Sequence, residues 1–94
     1  MILMFIVYSN SIDADVVDIV VKYAGGYTKF TDVQGEGRRE PQLGTNIWPG
    51  INYCMMVAVE KENEKYIVES IEELKKTSSE IYASIFTVQL KKNY

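Results

Sequence analysis

The chain lacks histidine, has a single cysteine at position 54, and contains no run of Lys or Arg longer than a pair. It therefore cannot supply the Cys/His ligand sets of common zinc sites, or a disulfide within one chain. The sequence offers no histidine and no nucleophile paired with a base, and so gives no support for catalysis. A net charge of −3 argues against nucleic acid or an anionic membrane as a partner. We expect neither an enzyme nor a nucleic-acid-binding protein.

Length and composition indicate one small folded domain. The chain has 94 residues, of which 47% are hydrophobic and 24% charged, which is typical of a globular protein. The apolar run Met1–Tyr8 is too short to span a bilayer and has no basic segment before it or cleavage site after it. We expect a single cytoplasmic domain over residues 1–94, with no membrane insertion. Its core would be modest for this size, so oligomerisation would add stability.

Hydrophobic periodicity predicts six elements in the order βαββαβ. The predicted strands are Met1–Tyr8, Tyr27–Val33, Ile51–Val59 and Ile81–Leu90. One helix is expected to be capped by Asn10 or Ser11 and to stop at Gly25-Gly26, and the other to be capped by Asn63 and to end at Lys75-Lys76. This order is typical of an α+β, ferredoxin-like domain with a four-stranded antiparallel sheet.

The two most apolar predicted strands, the first and the third, are the two that this topology places in the middle of the sheet. The second strand has polar residues on both sides, as expected for a sheet edge. Two helices can cover only one sheet face, yet the central strands carry apolar side chains toward both. A symmetric partner is the simplest cover for the second face.

Residues 35–50 have neither a helical period nor a strand alternation, and they separate the second and third strands. They hold four of the six glycines, both prolines, both arginines and the only tryptophan. Loops of this length are usually functional or disordered. Gly35 and Gly37 can bring backbone N–H groups close to an anion, and Arg38 can bind carboxylate or phosphate through two hydrogen bonds. The alternative is a glycine-rich turn in which Arg38 and Arg39 pair with surface acids.

The approach to this segment, Thr31-Asp32-Val33-Gln34-Gly35-Glu36-Gly37-Arg38, resembles the base of the T-loop in PII signalling proteins, Thr-Glu-Val-x-Gly-Phe-Gly-Arg-Gln. The element order and the position of the motif agree over roughly residues 1–76. The resemblance, to the nitrogen regulatory protein P-II and CutA superfamily, implies a homotrimer whose sheets line a central barrel. It also implies that Gly35, Gly37 and Arg38 lie near nucleotide phosphates in the cleft between subunits.

Two departures from the family pattern limit what carries over. Arg39 replaces a glutamine that in the family helps to hold Mg²⁺ and 2-oxoglutarate; we keep it beside Arg38 as a candidate anion ligand. The family's Thr-Gly-x-x-Gly-Asp-Gly-Lys-Ile-Phe stretch, which binds ATP phosphates, is here Thr77-Ser78-Ser79-Glu80-Ile81-Tyr82-Ala83-Ser84-Ile85-Phe86. Only Thr77 and Ile85-Phe86 match. The cofactor is therefore unknown, and ATP or ADP would lack most family ligands.

We accordingly expect a PII-like trimeric regulatory protein. It would bind a small anionic metabolite or nucleotide, with the shortened T-loop-like insertion at 35–50 offered to a protein partner. Candidate contact residues there are Glu40, Asn46 and Trp48, although Trp48 could instead anchor the loop on its own subunit. The loop could also merely pack against a neighbouring subunit.

Two other functions remain open at this point. One is metal tolerance, as in the CutA proteins, although no metal-ligand set is evident. The other is an acylphosphatase-like enzyme, because Val33–Arg38 also looks like the phosphate loop Val-Gln-Gly-Val-x-Phe-Arg. That loop follows the first strand of its domain and opens a helix, whereas here the motif follows the second strand.

Overall fold

The computed structural model describes residues 1–34 and 52–94. Its elements are β1 (Ile2–Ser9), a 3₁₀ turn (Asn10–Ile12), α1 (Asp13–Ala24), β2 (Thr28–Val33), β3 (Asn52–Val59), α2 (Lys61–Lys75) and β4 (Ala83–Gln89). The strands form one sheet in the order β2-β3-β1-β4, and every neighbouring pair is antiparallel. The predicted α+β, ferredoxin-like βαββαβ fold is confirmed, with β1 and β3 in the centre and β2 at an edge.

One face of the sheet packs against both helices and forms the core. Alternate residues of β1 are fully buried there, namely Met4, Ile6 and Tyr8, and their register partners on β3 are Val57, Met55 and Tyr53. The helices contribute the apolar stripes that their spacing predicts, with Val16, Val20, Ile67 and Ile71 fully buried. Because strand side chains alternate between faces, Leu3, Phe5 and Val7 lie on the other face, which we call the open face.

Both predicted helix starts are wrong. Asn10 and Ser11 form a 3₁₀ turn instead of capping α1, and the turn supplies a backbone hydrogen bond from the Asp13 N–H to the Asn10 carbonyl. At α2 the helix begins at Lys61, before Asn63. Asn63 donates its side-chain N–H to the Tyr23 carbonyl at 3.2 Å, and so ties α2 to the last turn of α1.

The predicted stop at Gly25 is confirmed. Gly25 takes φ 87°, a left-handed conformation that glycine adopts without steric cost, and its N–H donates to the carbonyls of Val20 and Val21. The chain then turns into β2 within the next residues. This places the start of β2 close to the end of α1.

Candidate functional site

The strand residues that flank the segment singled out by the sequence lie side by side in the sheet. Val33, the last residue of β2, is the register partner of Asn52, the first residue of β3, and Asn52 is in turn the partner of Ser9 on β1. Asn52 is 8% exposed although it is polar. The chain therefore leaves the sheet and returns to it at one end of neighbouring strands.

All seven predicted site residues lie outside the part of the chain that the structure describes. They are Gly35, Gly37, Arg38, Arg39, Glu40, Asn46 and Trp48. Their roles remain predictions from the sequence, as does the T-loop-like insertion at 35–50. The described residues establish the positions of the strands on either side of this segment.

The α2–β4 connection meets the same end of the sheet. Ser9 donates its backbone N–H to the Tyr82 carbonyl at 2.9 Å, and the Tyr82 N–H donates to the Ser9 hydroxyl oxygen, also at 2.9 Å. These bonds extend the β1–β4 ladder by one residue beyond Ala83. The points where this connection and residues 35–50 join the sheet lie on one row of neighbouring strand residues, formed by Val33, Asn52, Ser9 and Tyr82.

Hydrogen bonds to Ser78 form a turn within this connection. The Ser78 hydroxyl oxygen accepts the Glu80 N–H at 3.1 Å, and its carbonyl accepts the Ile81 N–H at 3.3 Å. The only charged side chain between Ser78 and Tyr82 is the Glu80 carboxylate. Two backbone donors of this connection are thus already used within it, and its local charge is negative.

An ionic cluster joins the first turn of α1 to β2, and the sequence analysis missed it. Asp13 accepts two hydrogen bonds, one from the Tyr8 hydroxyl at 2.6 Å and one from the Lys29 ammonium at 2.8 Å. The Tyr53 ring lies edge-on to Tyr8 at 6.1 Å, and the Lys29 ammonium lies 5.6 Å from the Tyr53 ring centroid. We call Tyr8, Asp13, Lys29 and Tyr53 the Asp13 cluster. The sequence signal that could have indicated this cluster is a tyrosine at the end of an apolar strand, followed five residues later by an aspartate.

The pKa shifts in the Asp13 cluster follow from burial and pairing. The pKa of Tyr8 is raised well above its usual value. Burial has the largest effect, followed by the hydrogen bond to Asp13 and the negative charge of the Asp13 carboxylate. Burial alone would raise the pKa of Asp13, but hydrogen bonds from Lys29 and Tyr8 hold it below its usual 3.8. The bond to Asp13 raises the pKa of Lys29. All three groups keep their ordinary protonation states near neutral pH.

Cys54 lies on the open face, as the register partner of Val7 and Phe30, rather than in the helix-covered core. It is partly buried, and burial raises the pKa of its thiol. That is opposite to the shift that activates a nucleophilic cysteine.

Within residues 1–34 and 52–94, no group of three or more His, Cys, Asp and Glu side chains lies close enough together to hold a metal ion. In the same ranges, neither helix is long and apolar enough to cross a membrane.

Comparison with known proteins finds solved structures that share the fold. No protein-family model and no curated protein matches the sequence. A nitrogen regulatory PII-like protein from Thiomonas intermedia K12, solved with ADP, AMP and bicarbonate, matches with a TM-score of 0.65 and 19% identity, over 97% of this chain and 88% of that chain. A candidate PII-like signalling protein from Thermus thermophilus matches with a TM-score of 0.63 and 25% identity, over 93% of this chain and 84% of that chain.

The expected resemblance to PII-like proteins is therefore confirmed at the level of the fold. A de novo designed protein, Foldit4, also matches, with a TM-score of 0.53 and 10% identity over 96% of this chain and 97% of that one. Because a designed chain shares the architecture, the likeness by itself carries no activity. Function has to be argued from the residues.

Proposed function

We propose that this chain is a PII-like regulatory protein, a homotrimer that binds a small anion in the cleft between subunits and signals through residues 35–50. The observation that carries this proposal is the PII-like fold combined with the position of Gly35-Glu36-Gly37-Arg38, which begins two residues after the end of β2. In the fold neighbour from Thiomonas intermedia the bound molecules are ADP, AMP and bicarbonate. All three are anions, and they set the class of ligand to test.

The anion would be held by the residues that follow β2. Gly35 and Gly37 allow the backbone to approach a ligand closely, and Arg38 offers a planar fork of donors that suits a carboxylate, bicarbonate or phosphate. Arg39 adds a second positive charge. Glu40, Asn46 and Trp48 would then contact a protein partner, whose binding would depend on whether the anion is present.

The ligand that fits these residues is a small anion or a nucleotide held by few phosphate contacts, rather than ATP held as in the family. The Ser78 turn supports this choice, because its Glu80 and Ile81 N–H groups are bonded within the turn. The Glu80 carboxylate would also repel a polyphosphate. Bicarbonate and AMP therefore come first among the ligands to test, and ADP next.

The proposed trimer would cover the open face. Phe86 is 58% exposed there and Val88 is 55% exposed, beside the partly buried Leu3, Phe5 and Val7. An apolar surface that crosses neighbouring strands is typical of a subunit interface. Binding rather than catalysis is proposed because the chain has no histidine and its one thiol is not activated. A cytoplasmic location stays a prediction.

Native mass spectrometry of the untagged protein is the first test. A trimer, with or without retained anion mass, supports the assembly, whereas a monomer at micromolar concentration contradicts it. Isothermal titration calorimetry with bicarbonate, AMP and ADP then tests the ligand. We expect Arg38→Ala to weaken binding of at least one of them on the order of tenfold or more, because a charge-assisted hydrogen bond is lost.

Lys76→Ala is the matched control, since it removes one positive charge from an exposed side chain whose only ion pair in the described residues is the one with Glu73. It should leave the affinity unchanged. Arg38→Lys keeps the charge but loses the planar fork, and should bind with intermediate affinity. If no anion binds the wild-type trimer, or if Arg38→Ala binds as tightly as wild type, the proposed ligand site is wrong.

A further inference from the structure

β2 is the strand least held by burial. None of its six side chains, all within the described residues, is buried, and only Lys29 and Val33 are partly buried. Phe30 is 46% exposed. As an edge strand, β2 hydrogen-bonds to one neighbour, β3, and this pairing is interrupted between Phe30 and Val33. Hydrophobic burial therefore contributes little to keeping β2 in place.

Lys29 links β2 to the core through charge. Its ammonium lies 2.8 Å from one Asp13 carboxylate oxygen, and the other Asp13 oxygen accepts the hydroxyl of Tyr8, whose side chain is fully buried. Asp13 is thereby fixed by a core residue on one side and holds the edge strand on the other. The Lys29 ammonium also lies 5.9 Å from the Tyr27 ring centroid and 5.6 Å from that of Tyr53.

The environment strengthens this ion pair compared with the other pairs of the described residues. The side chains of Lys29 and Asp13 are 23% and 26% exposed, whereas those of Lys75 and Glu72 are 35% and 55% exposed and 3.4 Å apart. Partly buried charges are screened less by salt, and removal of one partner leaves the other poorly solvated. The raised pKa of Lys29 and the lowered pKa of Asp13 agree with a favourable pair.

We propose that the Lys29–Asp13 ion pair is a positioning contact that fastens β2 to the first turn of α1 and so sets where the chain departs toward residue 35. When the pair is broken, β2 opens locally from the sheet more often, while the opening of β1 and β4 is unchanged. The consequence for ligand binding rests on the proposed function: Lys29 acts through β2 on the anion site and is not itself an anion ligand.

Hydrogen–deuterium exchange of the ligand-free protein tests the fastening. In both Asp13→Asn and Lys29→Gln, we expect amides of residues 27–34 to exchange on the order of tenfold faster, because a charge-assisted hydrogen bond is lost, with β4 unchanged. Lys29→Arg keeps a positive charge beside Asp13 and should exchange like wild type. Lys75→Gln, which breaks the Lys75–Glu72 pair, is the matched control and should leave residues 27–34 unaffected. Unchanged exchange of 27–34 in both variants, or equal acceleration across the whole sheet, would overturn the proposal.

Calorimetry with bicarbonate, AMP and ADP distinguishes a residue that positions the site from one that binds the ligand. If Lys29 positions the site, Asp13→Asn and Lys29→Gln both weaken binding. If Lys29 is itself a ligand, Asp13→Asn frees its ammonium and strengthens binding while Lys29→Gln weakens it, and the proposal is wrong. Should the wild-type protein bind none of the three probes, the proposed function fails, and the exchange experiment alone still decides whether the ion pair fastens β2.

Discussion

The two faces of the sheet are built from the same strands but differ in what covers them. On the helix-covered face, Met4, Ile6 and Tyr8 are fully buried. On the open face, residues one position along, such as Phe5 and Val7, are only partly buried, and Phe86 of β4 is 58% exposed. Because strand side chains alternate with a period of two, β1 presents apolar side chains in both directions. This difference in cover between the two faces is the reason for proposing a subunit interface on the open face.

A charge on the open face should have the largest effect. Val88→Lys would place an ammonium in the proposed interface, where an unpaired buried charge costs about 3–5 kcal/mol, so the assembly should dissociate at micromolar concentration. Val21→Lys is the matched control, because Val21 is 49% exposed on α1 and Val88 is 55% exposed on β4. Sedimentation or native mass spectrometry reads the result. If both variants dissociate, or if neither does, the open face is not the subunit interface.

Replacement of a large side chain by alanine on each face tests the same difference between the covered face and the open face. Ile6→Ala removes a fully buried side chain from the covered face and should lower the free energy of unfolding by about 2–5 kcal/mol at any protein concentration. Leu3→Ala on the open face should cost less when subunits are dilute and more when they are assembled. Urea unfolding at two protein concentrations measures both. A concentration-independent loss for Leu3→Ala would mean that no partner covers this part of the face.

Tyr8→Phe tests the polar end of the covered face. It keeps the ring but removes the hydroxyl that donates to Asp13, so we expect a loss of about 1.5–3 kcal/mol near neutral pH. The raised pKa of Tyr8 stabilises the fold below the usual value of 10.0, and this contribution is lost as the pH rises above it, since the unfolded chain ionises first. The variant should therefore lose less stability between pH 9 and 11 than wild type. Tyr94→Phe, at an exposed position, should change neither quantity.

Much of the fold could be predicted because its signals are local. The apolar character of β1 and β3, the polar character of β2 and the glycine stop after α1 predicted the element order and the central strands. The helix starts were missed because Asn10 and Ser11 form a 3₁₀ turn and because Asn63 bonds to Tyr23 on the other helix. Contacts between residues far apart in sequence leave no periodic signal.

The candidate site was less accessible to prediction for the same reason. In the sequence, Asp13 only follows the predicted cap of the first helix, and Lys29 is only one residue of the strand predicted at the sheet edge. Their ion pair depends on β2 lying beside the start of α1, which only the folded topology brings about. The predicted anion ligands lie in residues 35–51, outside the described chain, and Arg38→Ala remains their direct test.

The smallest expected effect concerns Asp32, where the alternation of β2 is broken. Phe30 and Val33 pair with Cys54 and Asn52, so β2 has one residue more than β3 over this stretch, and Asp32 takes φ 56°. This bulge places Val33 on the same face as Phe30. Asp32→Gly should leave the free energy of unfolding within about 0.5 kcal/mol, because glycine adopts positive φ freely, whereas Asp32→Val should lower it by about 1–3 kcal/mol. Thr31→Val, at the neighbouring exposed position, should be nearly neutral, and a similar loss in all three variants in thermal unfolding would show that side-chain contacts, not backbone strain, decide stability here.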